Sequence, residues 1–185
     1  MYLNDVEQAI RDGARGEAAR RSLEQQIAVG DFFGAERFVE VSNVHMMGDY
    51  EVMGEAGCKY LESLIELGAR VCVQTTRNAQ CIEYDCAARL RQSPELLERE
   101  KKARRLLGAL GISLVDTCIN YHSIYTPRLK EHVAWGDTGT VAYANSVLGA
   151  RTNYESGPAA IAAGITGRTP AYGFHLDACR RANAR

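Results

Sequence analysis

The chain has 185 residues, 46% of them hydrophobic and 24% charged, with a formal net charge of −1. That length and apolar content suffice for one domain with its own core, and the balanced charge argues against nucleic acid or an anionic membrane as a partner. No apolar run reaches a membrane-spanning length and the opening MYLNDVEQ is polar and acidic, unlike a secretion signal, so a cytoplasmic location is the default expectation.

Asn4-Asp-Val-Glu7 has capping-box spacing, which predicts a helix over residues 5–11 that ends near Gly13. A second helix over 17–29 places Leu23, Ile27 and Ala28 on one side and stops at Gly30. Residues 1–30 thus read as a helical arm on an α/β core of residues 31–185. RFVEVS (37–42) alternates and is β-branched, as a short strand does. Residues 55–67 form a helix with Tyr60, Leu61, Leu64 and Ile65 inward and Gly68 after its end. A strand over 70–75 follows.

Ser93 and Pro94 are an N-cap and first-turn pair, opening a helix that closes at Gly111. Leu96, Ala103, Leu107 and Leu110 form its apolar face, and a strand over 112–117 comes next. Strand, helix, strand, helix, strand predicts α/β layers with parallel pairing. Helices near 139–149 and 158–166 and a strand around 171–176 close the chain, with no internal repeat or low-complexity segment.

The six cysteines (Cys58, Cys72, Cys81, Cys86, Cys118, Cys179) include no C-x-x-C pair and read as reduced thiols. Cys118 comes just after a predicted strand, where open α/β sheets bind ligands, and a thiolate there can ligate iron. A half-buried strand-end cysteine is the alternative. His122, four residues on, reads as structural. A zinc site of Cys81, Cys86, Cys118 and His122 lacks the tight ligand pair such sites use. His45, after the first predicted strand, is either a substrate contact or a satisfied structural group. Thr75, Thr76 and Asn78 suit a hydroxylated substrate, and suit a turn equally well. The charged run from Glu98 to Arg105 mixes signs at helical spacing and reads as a solvated face. No G-x-G-x-x-G follows a strand, so a dinucleotide site has little support.

Residues 145–170, NSVLGARTNYESGPAAIAAGITGRTP, put a Gly-Ala-Arg-Thr-Asn turn between two helices. Such a turn places main-chain N–H groups at a helix N-terminus beside Arg151, with Thr152 and Asn153 adjacent, ready for a carboxylate or phosphate. An ordinary helix–loop–helix with a surface arginine is the alternative. Arg168 reads as a helix-end residue that pairs with a carboxylate of the protein.

This block, with ITGRTPAYGFHLD (165–177), resembles the most distinctive segment of the aconitase X family. VQTTRN (73–78), DTCINYH (116–122) and EHVAWGDTGTVAYANS (131–146) fall in that family's order, and residues 1–42 resemble its N-terminal arm. The resemblance implies a three-layer α/β/α aconitase-like domain with an N-terminal helical arm. It also implies an iron–sulfur-dependent hydro-lyase that dehydrates a small hydroxy acid, cis-3-hydroxy-L-proline first and mevalonate 5-phosphate next. On this resemblance Cys118 is a cluster ligand, and Asn145, Ser146 and Arg151, with Thr152 and Asn153 beside them, hold the substrate carboxylate. His45, Thr75 and Thr76 are further substrate contacts. On the same resemblance most of the cluster cysteines and the general base lie beyond the equivalent of Arg185. The chain is therefore expected to be the first part of a longer, truncated or split catalytic region, working with a remaining catalytic half or a small swivel-domain subunit. Cys81 and Cys86 stand where the family has a Pro-Gly-rich turn. A non-catalytic fragment or degenerate paralogue that keeps the anion-binding turn is the alternative.

Overall fold

The computed structural model describes residues 1–155 and 157–181. Helix α1 (Asp5–Arg11) forms as its capping box dictates: the Asn4 side chain accepts from the Val6 and Glu7 amides at 3.0 Å, and Glu7 accepts from the Asn4 amide at 2.8 Å. Helix α2 (Gly16–Phe32) runs through Gly30, which the sequence suggested as its stop. Gly30 is an interior packing point instead, because a Cβ there would lie 2.9 Å from the Met1 sulfur and 3.1 Å from Pro170.

Three strands, β2 (Asn43–Met46), β3 (Gln74–Arg77) and β4 (Ala134–Trp135), form a parallel sheet in the order β3-β2-β4. Parallel bridges extend it at both edges, Ser113 beside Thr76 and Tyr154 beside Trp135. A separate antiparallel ribbon joins β1 (Phe38–Glu40) to β5 (Arg168–Pro170).

The strands depart from expectation in four places. The 37–42 strand stops at Glu40, and β2 begins at Asn43 after a bend, so His45 lies within a strand. The 70–75 strand starts later, at Gln74. The 112–117 strand reduces to the bridge at Ser113, with Asp116 at φ 50 turning the chain away. The 171–176 strand sits earlier, as β5, and single 3-10 turns at Gly173–His175 and Asp177–Arg180 follow it.

Helices cover both sheet faces. On one side Val44, Met46 and Ala134 pack with Leu23 of α2, Leu61 of α3 (Tyr50–Glu66), Leu107 of α4 (Pro94–Ala109) and Ile161 of α7 (Gly157–Thr166). On the other, Val133 and Trp135 pack with Ala144 and Val141 of α6 (Thr138–Ser146) and Tyr121 of α5 (Asn120–Ser123). The two sets alternate along β4 because successive side chains of a strand point to opposite faces. This is the expected α/β class. The arm is part of the larger core, since Ile10, Ala18 and Ala19 belong to the same cluster as Val44.

Candidate functional site

Parallel strands that all point one way bring their carboxyl ends to one edge of the sheet, and the helices that follow begin there. Asp49, after β2, caps α3 by accepting from Val52 N at 3.0 Å. Asp137, after β4, caps α6 by accepting from Gly139 N at 3.0 Å. Asn78, after β3, ties the strand ends together: its amide nitrogen donates to Asp49 at 2.8 Å and its side-chain oxygen accepts from Gly48 N at 2.7 Å.

Cys118 comes to this edge, half-buried. Burial pushes its thiol up, the adjacent Asp137 carboxylate pushes it further, the Ala79 backbone opposes, and Asp49 adds to the rise. The thiol therefore stays protonated in the chain alone, and a bound cation would reverse that balance.

His45 is completely buried in the middle of β2. Its Nδ1 lies 2.8 Å from Thr76 Oγ1, and the Thr76 hydroxyl donates to Val44 O at 3.3 Å. With the hydroxyl proton used, the hydrogen between Thr76 and His45 belongs to Nδ1, which leaves Nε2 as a bare acceptor. Nε2 has no hydrogen-bond partner among the described residues. Burial pulls this imidazole down to about 4, against the opposing field of Asp137, so it is neutral at pH 7.

Thr75 does not join Thr76. As the preceding residue of the strand it faces the opposite layer, donating to Val73 O at 3.0 Å and packing where α7 passes at Gly164.

The 149–153 turn is built differently from its sequence reading. Residues 151–154 run beside β4, so the amides expected to be free are bonded: Arg151 N to Glu131 O at 2.8 Å and Glu155 N to Trp135 O at 2.9 Å. Asn145 donates to Val141 O and Thr152 O and accepts from Arg180. Thr152 Oγ1 accepts from Trp135 N and donates to Asn153 O, and the Asn153 side chain joins Tyr172 O to Phe174 N. Arg151 is nearly buried, with one nitrogen on His175 O at 2.9 Å and another on Asp177. Ser146 is exposed and lines a cleft of about 570 Å³ with Thr138, Asn145, Tyr154, Phe174 and Arg180. Thr138, Val141, Ala142 and Asn145 of α6 line it, and Cys118, Asp137 and His45 do not.

Glu100 corrects the solvated-face reading of 98–105. It is fully buried, 2.5 Å from the Arg77 guanidinium, and it also accepts from Tyr50 N at 2.6 Å and from the Cys81 thiol at 3.3 Å. Its carboxyl is held down although burial alone would raise it, because the Arg77 and Tyr50 hydrogen bonds outweigh desolvation. No local pattern marks Glu100, since its partner lies 23 residues away. His122 packs at a tilt against the rings of Tyr121 and Tyr143. Arg168 pairs with Glu7 and Glu40, protein carboxylates as expected, though from β5 instead of a helix end. Among the described residues no group of three or more His, Cys, Asp or Glu side chains is placed to hold a metal ion.

The result is a layered α/β domain with helix caps and a thiol at its strand-end edge and a neutral imidazole buried inside β2. The chain belongs to the aconitase X family: the model of the Aconitase X first domain matches residues 1–178. It is similar to the phosphomevalonate dehydratase large subunits of Thermococcus kodakarensis (38% identical, 98% of this chain and 45% of the relative) and Methanothermobacter thermautotrophicus (40%, 100% and 47%). It is also similar to the cis-3-hydroxy-L-proline dehydratase of Pseudomonas aeruginosa (33%, 97% and 31%). The crystal structure of Thermococcus kodakaraensis aconitase X in its holo form aligns with a TM-score of 0.89 at 37% identity, over 98% of this chain and 45% of that one. The chain spans about half the length, 45–47%, of the large subunits it matches.

Proposed function

We propose that the chain supplies the first part of the catalytic region of an aconitase X hydro-lyase, which dehydrates a small hydroxy acid. The observation that carries this reading is the family match over residues 1–178, with Cys118 beside the Asp137 cap at one sheet edge. Higher identity to the phosphomevalonate enzymes, 34–40% against 30–33%, puts mevalonate 5-phosphate ahead of cis-3-hydroxy-L-proline, reversing the order the sequence suggested.

The reaction removes a proton α to a carboxylate and expels a hydroxyl. Cys118 is suited to be one ligand of an iron–sulfur cluster, and its neighbours Asp137 and Asp49 favour a cation beside them. When bound, such a cluster supplies a Lewis acid that polarises the departing hydroxyl. One thiol does not hold a cluster, so the other ligands and the general base come from outside these residues, in the remaining catalytic half. A small swivel-domain subunit is the further partner.

His45 offers Nε2 as a fixed acceptor for a substrate hydroxyl, and Thr76 sets its tautomer. Thr75 contributes by seating α7 on the sheet. Ser146 and Asn145 border the cleft, and Thr152 and Asn153 hold Arg151 in place. Arg151 takes an acidic group of the substrate by exchanging it for Asp177, whose side chain is 81% exposed.

Produced anaerobically with the remaining catalytic portion, the protein is expected to carry iron that Cys118→Ser loses. Unchanged iron in that variant removes Cys118 as a ligand, and this reading with it. The lone thiol favours one second reading, a non-catalytic fragment or degenerate paralogue, for which the wild-type assembly would be free of iron.

A further inference from the structure

The segment that carries Cys118 leaves the sheet directly after its last ladder contact. Ser113 pairs with β3, its amide donating to Thr75 O at 2.8 Å and its carbonyl accepting from Arg77 N at 3.2 Å. From Leu114 to Cys118 no main-chain group makes a backbone–backbone hydrogen bond among the described residues. Leu114 packs on the rim of the larger core. Beyond it, a stretch without a ladder keeps its place only through its side chains.

Asp116 supplies that hold. It stands at φ 50, a left-handed backbone that aspartate tolerates better than most residues and that its surroundings must fix. One oxygen of its carboxylate lies 3.2 Å from Arg77 Nε, and the other is bonded to Arg104 Nη1. Both guanidinium groups are already anchored. Arg77 is fully buried in β3, and Glu100 takes its Nη2 at 2.5 Å. Arg104 comes from α4 and lies over the Tyr84 ring, 5.4 Å from the centroid. Asp116, its side chain 23% exposed, closes the gap between two cations fixed by separate elements. Two residues further along both segments there is a second contact, in which the Ala79 backbone hydrogen-bonds the Cys118 sulfur. Arg77 with Asp116, and Ala79 with Cys118, thus take over the alignment that the ladder gives up at Ser113.

We propose that Asp116, gripped between Arg77 and Arg104, is the positioning residue of Cys118. An ionic clamp, in place of a strand ladder, fixes where the thiol sits at the sheet edge. This rests on the reading of Cys118 as a ligand and adds what aims it. Aiming one thiol in advance matters most where the other ligands come from a different part of the catalytic region. A loose thiol would have to be ordered each time the site assembles, at a cost in free energy.

The test is alkylation of the metal-free 185-residue chain with iodoacetamide, followed by mass spectrometry of the peptides that carry Cys118, Cys58 and Cys72. Cys58 is buried in α3 and reports opening of the whole fold, while Cys72 is exposed and reports the reagent. Arg104→Gln is expected to raise the Cys118 rate at least about threefold, with Cys58 and Cys72 unchanged. The sign is diagnostic. Loss of a nearby cation by itself makes a thiol harder to ionise and its alkylation slower. Asp116→Asn, which suits the same backbone, should raise the rate at least about tenfold by releasing both guanidinium groups. Arg104→Lys should fall between wild type and Arg104→Gln, and it carries the test if circular dichroism shows the glutamine variant unfolded. A Cys118 rate unchanged or lowered in the folded Arg104 variant overturns the proposal. So does a rise at Cys58 in step with Cys118, which marks a purely structural contact. None of these readouts needs iron or turnover, so their failure leaves the iron test of the hydro-lyase reading standing.

Discussion

Replacing Gly136 with alanine drives a methyl group into the backbone of the neighbouring segment. The added Cβ would lie 2.2 Å from Glu155 O and 3.5 Å from His45 O. Real side chains do not approach a carbonyl that closely, so residues 154–155 must move away. That motion strains or breaks the 2.9 Å bond from Glu155 N to Trp135 O, which joins the outer segment to β4. Overpacking typically costs about 1–3 kcal/mol and a lost hydrogen bond about 0.5–1.5 kcal/mol. Together they predict a loss of roughly 2–4 kcal/mol, or about 5–15 °C in melting temperature for a domain of this size. Gly139, three residues on, is the control. Its nearest neighbour would be 3.7 Å away, within the first turn of α6, so alanine there should be neutral or stabilise by up to about 1 kcal/mol. Thermal unfolding of the two variants checks this. A Gly136→Ala protein that melts within about 2 °C of wild type would refute the close approach of 155 to β4.

Glu100→Ala should destabilise by about 3–5 kcal/mol, because it leaves the buried Arg77 charge with only the partly exposed Asp116 carboxylate at 3.2 Å, and adding Arg77→Met should recover much of that loss in urea unfolding. A single variant costing less than about 1 kcal/mol would contradict the buried pair. His45 and His132 are held down to about 4 from 6.5, so below pH 6.5 the unfolded chain binds protons that the folded chain refuses. Stability is accordingly full above pH 6.5 and lost as pH falls towards 4. A melting temperature flat across that window, or a slope unchanged in His45→Gln, would contradict it. Glu100 acts in the same direction at lower pH: its depressed carboxyl stabilises the fold above the ordinary carboxylate range and ceases to do so as it becomes protonated.

Helix α1 and the start of α4 were legible because their signals are local. Asn4 with Glu7, and Ser93 with Pro94, carry the whole instruction for a helix start within four residues. The strands were harder to place. Thr75, Thr76 and Arg77 make β3 look polar, and Arg77 is tolerated there because Glu100 reaches it from α4 and Asp116 pairs with it as well. Likewise β2 was hidden behind a bend at Val41–Ser42, so His45 was read as following the end of a strand although it sits inside one. Cys118 was legible as a strand-end thiol, but Asp49 and Asp137 were not, since caps from separate strands converge only once the sheet forms. The 149–153 turn shows the opposite failure. Its residue types do suit an anion, yet the main-chain donors they frame are taken by Glu131 and Trp135.

The most direct measurement is loss of water from mevalonate 5-phosphate, and in parallel from cis-3-hydroxy-L-proline, by the anaerobically prepared chain assembled with the remaining catalytic portion. The account expects turnover of the phosphorylated acid that Cys118→Ser abolishes and His45→Gln strongly reduces. Turnover untouched by either substitution, or none of either substrate by the wild-type assembly, would show that the strand-end cluster around Cys118 is not a dehydratase centre.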